Sequence, residues 1–182
     1  MRYFDTAYIL KLYLCEPGSE AVMQAANDSG GLASSALAFS ELHGALHRNL
    51  RDGSLERGEF ETVLERFAAD VVLDMWHWLP VTMRIHRRVA SVYRELPESV
   101  FLRTADAIHL ATAVEHGFHH VYSNDRHLLA AAPHFGVAGI NVIEDGAPVS
   151  RDASRCSPVS LRAGAARPPS RGGAGRPVCL AQ

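Results

Sequence analysis

The sequence predicts an α/β fold, a central parallel sheet covered by helices on both faces. Short strand-like runs alternate with longer stretches of helical spacing, the order that crossover-connected parallel strands leave in a chain. Apolar residues make up 47% of the 182 positions, enough for one domain with a sizeable core. No run approaches the ~18 consecutive apolar residues of a membrane-spanning helix.

Residues 1–5 are expected to form a buried first strand that ends in an acid, Asp5. Ile9, Leu10, Tyr13 and Leu14 mark a helix that Pro17-Gly18 breaks. Ser19 is placed to cap a second helix running to about Asn27. Gly30-Gly31 precedes a short strand, Leu32 to Ser34. Residues 36–51 have helical spacing, with Leu42, Leu46 and Leu50 on one stripe. Residues 55–72 repeat the pattern through Leu55, Phe60, Val63, Leu64, Phe67 and Ala68. A strand from Trp76 to Val81 leads into a helix from about Met83 to Leu96, which Pro97 stops. The segment from about Phe101 to His116 reads as a helix closed by Gly117. His120 to Ser123 is a strand, Asp125 to Ala132 a short helix and Ile140 to Ile143 the last strand. From about Gly146 the chain is rich in Pro, Gly, Ser, Ala and Arg without apolar periodicity. One domain is therefore expected over residues 1–145 and a flexible tail over residues 146–182.

The formal net charge of −2 hides an asymmetry, because residues 1–150 carry −7 and residues 151–182 carry +5. A polyanion-binding protein usually has a positive field on its folded part. If this chain acts on nucleic acid, cations must offset repulsion there. No basic segment followed by a long apolar one opens the sequence, so a secretory signal is not visible and a cytoplasmic location is expected. Cys15, Cys156 and Cys179 have no CxxC spacing and form no even-numbered framework, which argues against structural disulfides and a Cys-based zinc site.

Four acids stand out by position. Sites in open parallel sheets lie at the carboxyl ends of the strands, and Asp5 and Asp125 each follow a strand-like run. Asp106 has Leu102, His109, Leu110 and Ala113 at helical offsets, a largely apolar stripe on which an unpaired carboxylate costs several kcal/mol. A local pairing with Arg103 is the plain alternative. Glu41 has Leu37, Ala38, Gly44 and Ala45 as its helical neighbours, again a small, apolar face. If the four converge to ~5 Å, each pair repels by roughly 3 kcal/mol at an effective dielectric near 20, and a bound cation is needed to keep them ionised. Hard oxygen donors suit Mg²⁺ or Mn²⁺, and the chemistry they suit is phosphodiester hydrolysis.

The same residues resemble a known family. Tyr3-Phe4-Asp5-Thr6-Ala7-Tyr8, the stretch Tyr13 to Glu20, Ser40-Glu41-Leu42, Thr104-Ala105-Asp106-Ala107-Ile108-His109-Leu110-Ala111-Thr112-Ala113 and Ser123-Asn124-Asp125-Arg126 are similar to PIN-domain proteins, and among them to VapC-type toxins of bacterial toxin–antitoxin pairs. The resemblance covers about residues 1–145. It implies a three-layer α/β/α sandwich, an acidic site holding Mg²⁺ or Mn²⁺, and hydrolysis of RNA to a 5′-phosphate and a 3′-hydroxyl. It also implies a homodimer and a small antitoxin whose C-terminal segment covers the site. By position, Asp5, Glu41, Asp106 and Asp125 match the four metal-site acids, and Ser123 a small hydroxyl residue that is often Thr. The Arg- and Pro-rich tail fits no part of the pattern.

Other features are weaker. His43 and His47 lie four apart on a helix, but the sequence around them is not HExxH, and hydrogen-bonded or solvated histidines are the expected reading. His109 shares a face with Asp106, so support of a carboxylate ligand competes with ordinary packing. Arg126 and the Arg84, Arg87, Arg88 group are suited to phosphate or to a solvated face. A haloacid-dehalogenase-like phosphatase needs a second Asp two residues after the first, where this chain has Ala7. A phosphoacceptor receiver needs an acidic pair and a lysine, and the only lysine is Lys11. The expected function is therefore a metal-dependent endoribonuclease, the toxin of a VapBC-type toxin–antitoxin pair, with RNA as substrate and tRNA and rRNA as candidate targets; the alternative is a non-catalytic PIN-like module that binds RNA or protein.

Overall fold

The computed structural model describes residues 1–143. The expected tail at residues 146–182 lies outside the described residues. Five strands form one parallel sheet: β1 (Arg2–Phe4), β2 (Leu32–Ser35), β3 (Trp76–Leu79), β4 (His120–Tyr122) and β5 (Ala138–Ile140), in the order β3-β2-β1-β4-β5. Seven helices surround it: α1 (Thr6–Tyr13), α2 (Ser19–Asn27), α3 (Ala36–Arg51), α4 (Arg57–Val72), α5 (Met83–Glu95), α6 (Thr104–Glu115) and α7 (Arg126–Phe135).

Alternation along the strands sorts the core into two layers. Tyr3, Ala33, Leu79 and Val121 turn to one face and pack with Ile85, Leu110, Leu128 and Phe135 of α5, α6 and α7. Phe4, Leu32 and Trp76 turn to the other and pack with Tyr8, Val22, Leu42 and Phe67 of α1 to α4. The product is the three-layer α/β/α sandwich. The sheet order reverses at β1, which pairs with β2 on one side and β4 on the other, so the crevice beyond the ends of β1 and β4 is the topological switch point.

Differences from the sequence-based expectations have local causes. Helix α2 is preceded by Gly18 at φ +87°, while the Ser19 hydroxyl turns back to donate to the Leu14 carbonyl and accept from the Glu16 N–H. The Gly18 backbone is left-handed and a Cβ there would lie 2.6 Å from Ile143, so glycine is required twice over. The last strand lies earlier than its apolar residues suggest. Ala138 to Ile140 pair with β4, whereas Val142 and Ile143 leave the sheet to pack on the α1 to α4 layer. Helix α7 continues past Ala132 through Pro133, and its last residue Phe135 is buried. Helix α6 begins only at Thr104, leaving Phe101, Leu102 and Arg103 outside it. Cys156 and Cys179 lie outside the described residues. Among the described residues no helix is long and apolar enough to cross a membrane.

Candidate active site

Asp5 ends β1 and caps α1. One oxygen accepts the Tyr8 N–H at 2.9 Å, and the other accepts a short hydrogen bond from the Ser123 hydroxyl. The side chain is 4% exposed, and burial pushes its pKa up to about 6 against the opposing pull of those two donors. Asp125, after β4, repeats the device on α7. Its Oδ1 accepts the N–H groups of His127 and Leu128 at 2.7 and 3.3 Å, while the Ser123 Oγ accepts the Asp125 N–H. Ser123 thus ties the two strand-end acids together.

Glu41 comes from α3. Its Oε2 accepts from the Thr6 hydroxyl at 2.5 Å and from His109 Nε2 at 2.9 Å. His109 is buried, and its Nδ1 lies 3.0 Å from the Tyr3 hydroxyl, which in turn accepts the Ser35 N–H. All these bonds are satisfied at once when Tyr3 donates to Nδ1 and the ring proton sits on Nε2, facing Glu41. Burial raises the Glu41 pKa, but the hydrogen bonds from His109 and Thr6 outweigh it and hold the carboxyl below its ordinary range.

Asp106, in the first turn of α6, lies on the same electrostatic neighbourhood without such support. Its Oδ2 is buried and has no hydrogen-bond partner among the described residues. Burial first, then the charge of Asp125, raises its pKa, and Glu41 adds to the effect. Arg103, the partner in the plain alternative for Asp106, donates instead to Asp125 Oδ2 at 2.9 Å. Burial would raise the Asp125 carboxyl, yet the two N–H donors and Arg103 hold it low.

All four predicted acids are therefore placed at the switch-point end of the sheet. The charge of Asp106 also raises Asp5, so the four are electrostatically linked. Among the described residues, however, no three His, Cys, Asp or Glu side chains form a closed ligand set. One oxygen each of Asp5 and Asp125 faces a helix N-terminus, while the second Asp5 oxygen faces Ser123 and the second Asp125 oxygen faces Arg103. The donor chemistry nonetheless suits a hard divalent cation: oxygen donors only, two carboxylates kept low and two raised, and one buried oxygen without a donor.

Sequence reasoning underrated His109 and missed the roles of Thr6 and Tyr3. The pairing of a buried His with Asp106 on one helix hinted at the first; the other two depend on packing between distant segments. His43 Nδ1 lies 2.7 Å from the Phe39 carbonyl and His47 is exposed, as expected of histidines outside the site.

The PIN domain family matches residues 2–133, and the chain belongs to that family. Among curated proteins, none matches the sequence. Solved structures share the fold at low identity. FitAcB from Neisseria gonorrhoeae has a TM-score of 0.61 and 20% identity, covering 78% of this chain and 98% of the other. VapBC2 from Rickettsia felis, bound to a DNA fragment from its promoter, has a TM-score of 0.56 and 12% identity over 78% of this chain and 98% of the other. FitAB bound to the IR36 DNA fragment has a TM-score of 0.54 and 19% identity over 81% and 99%.

Proposed function

We propose that this PIN-domain protein is a Mg²⁺- or Mn²⁺-dependent endoribonuclease, the toxin of a VapBC-type toxin–antitoxin pair. The observation that carries the reading is Asp106 Oδ2, a buried carboxylate oxygen without a donor among the described residues, beside three further acids at the sheet's switch point. A divalent cation relieves both the missing contact and the mutual repulsion. Such an ion supplies Lewis-acid polarisation of the phosphoryl group and stabilises the leaving oxygen.

Asp5, Asp106 and Asp125 would hold the metal. Asp5 is kept in place by Ser123 and the α1 N-terminus, and Asp125 by the α7 N-terminus. Glu41 is held ionised by His109 and Thr6, so it serves to orient water near the phosphate rather than to take a proton strongly. The resemblance to VapC-type toxins implies a small antitoxin as partner and a homodimer as the working form, and both belong to this reading.

The test is incubation of the antitoxin-free protein with end-labelled tRNA and rRNA fragments in Mn²⁺, Mg²⁺ or EDTA, beside Asp106→Asn. Metal-dependent, discrete cleavage lost in the variant is expected. No cleavage in any condition, with no stabilisation by Mn²⁺, favours the non-catalytic binding module instead.

A further inference from the structure

Beside Asp125 the surface opens into a cleft of about 370 Å³ lined by Ala7, Arg103, Asn124, Asp125, Arg126 and His127. Its size is in the range of small-ligand clefts, and its walls carry two arginines in a part of the chain whose net charge is otherwise negative. Phe101, 58% exposed, touches two of the residues that line it. The ring is not loose. His127 meets it edge-on with centroids 4.7 Å apart, and the Arg103 guanidinium lies over it at 5.8 Å. Arg126 Nε donates to His127 Nε2 at 3.2 Å, so both arginines are tied to the same aromatic pair. Arg103 also reaches Asp125, which connects this cluster directly to the acidic site.

We propose that Phe101, with Arg103 and His127, forms a nucleobase-stacking subsite for single-stranded RNA next to the acidic centre. An exposed ring held by a cation and an imidazole offers a π-face to any base, and the arginines offer charge to the adjoining phosphates. A single strand fits and a duplex does not, because paired bases are not free to stack on a side chain. Arg103 contacts both the Phe101 ring and Asp125, so the subsite adjoins the acidic centre. The subsite extends the nuclease reading by naming how substrate is held.

The test measures binding of a labelled single-stranded RNA of about ten nucleotides in EDTA, where neither metal nor cleavage enters. Phe101→Ala is expected to weaken binding roughly five- to a hundredfold, and Phe101→Trp to restore it. An abasic oligomer of the same length should bind the unaltered protein as weakly as intact RNA binds Phe101→Ala. Equal binding by Phe101→Ala and the unaltered protein, equal binding of abasic and intact strands, or preference for a duplex overturns the subsite. Cleavage assays in Mn²⁺ separate the two proposals. Unimpaired cleavage by Phe101→Ala, with Asp106→Asn inactive, removes the subsite and leaves the nuclease. Phe101-dependent binding without cleavage by the unaltered protein keeps the subsite and removes the nuclease.

Discussion

His109 donates from Nε2 to Glu41 Oε2 across 2.9 Å, joining residues 68 positions apart on α6 and α3. Because Tyr3 occupies Nδ1, the imidazole cannot turn its proton away from Glu41 without losing a buried hydrogen bond. The pair therefore fixes a carboxylate in direction and in charge. Outer partners of this kind typically matter 10–100-fold in metal affinity or activity. His109→Ala is expected to slow Mn²⁺-dependent cleavage by about that factor, and His109→Gln to recover part of it through its side-chain N–H. Single-turnover rates beside a thermal melt check this. A variant as stable and as active as the parent would show the contact to be incidental.

This pair also marks how far the sequence could be read. Elements with strong periodicity were legible: α3 spans Ala36–Arg51, where the Leu42, Leu46, Leu50 stripe put it. The last strand was not, because Val142 and Ile143 owe their apolar character to the helical layer rather than the sheet. The four acids stood out since carboxylates at strand ends or on apolar helical faces require a reason. Their partners did not. Arg103 adjoins Asp106 in sequence, yet it precedes α6 and its side chain crosses to Asp125, a choice set by the packing of α6 against α7.

Asp5 makes stability depend on pH with a definite sign. Its folded pKa is raised from 3.8 to about 6. The native state therefore binds more protons than the unfolded one in that window, and stability falls as pH rises through it. Asp5→Asn keeps an acceptor for the Tyr8 N–H but carries no charge. Relative to the parent in EDTA, it should gain stability between pH 4 and 7, on the order of 2–3 kcal/mol. Urea unfolding at both ends of the window measures the change; a constant difference between the two proteins contradicts the raised value.

Ser123 is fully buried and donates to Asp5. Ser123→Ala removes a donor that favours the carboxylate, so the Asp5 pKa rises further. A metal must then displace a proton more often near pH 6 than near pH 8. Mn²⁺ titrations should show an affinity loss that is larger at the lower pH, whereas Ser123→Thr retains the hydroxyl and most of the affinity. A loss equal at both values would place the defect in packing instead.

Gly18 tests the approach of the last described residues to the helical layer. Its φ of +87° and the 2.6 Å clash of a Cβ with Ile143 mean that Gly18→Ala strains backbone and packing together. The expected cost is about 1–3 kcal/mol, read as a lowered urea midpoint. An unchanged midpoint would show that Ile143 yields freely.

Arg103 serves two opposed ends, and its removal should separate them. Its guanidinium holds Asp125 Oδ2 at 2.9 Å and so competes with any cation for that oxygen. Arg103→Ala leaves Asp125 held by two N–H groups of α7 and free on its other oxygen, so Mn²⁺ should bind several-fold more tightly. The same change removes a positive charge from the cleft and the cation over Phe101, so RNA binding should weaken. One lost phosphate contact flattens the salt dependence of single-strand binding by about 0.7 in log–log slope. Calorimetry with Mn²⁺ and anisotropy with RNA across salt concentrations give the two readings. Opposite directions fit an arginine shared between acid and substrate, whereas weakening of both would mean that Arg103 supports the metal ligands themselves.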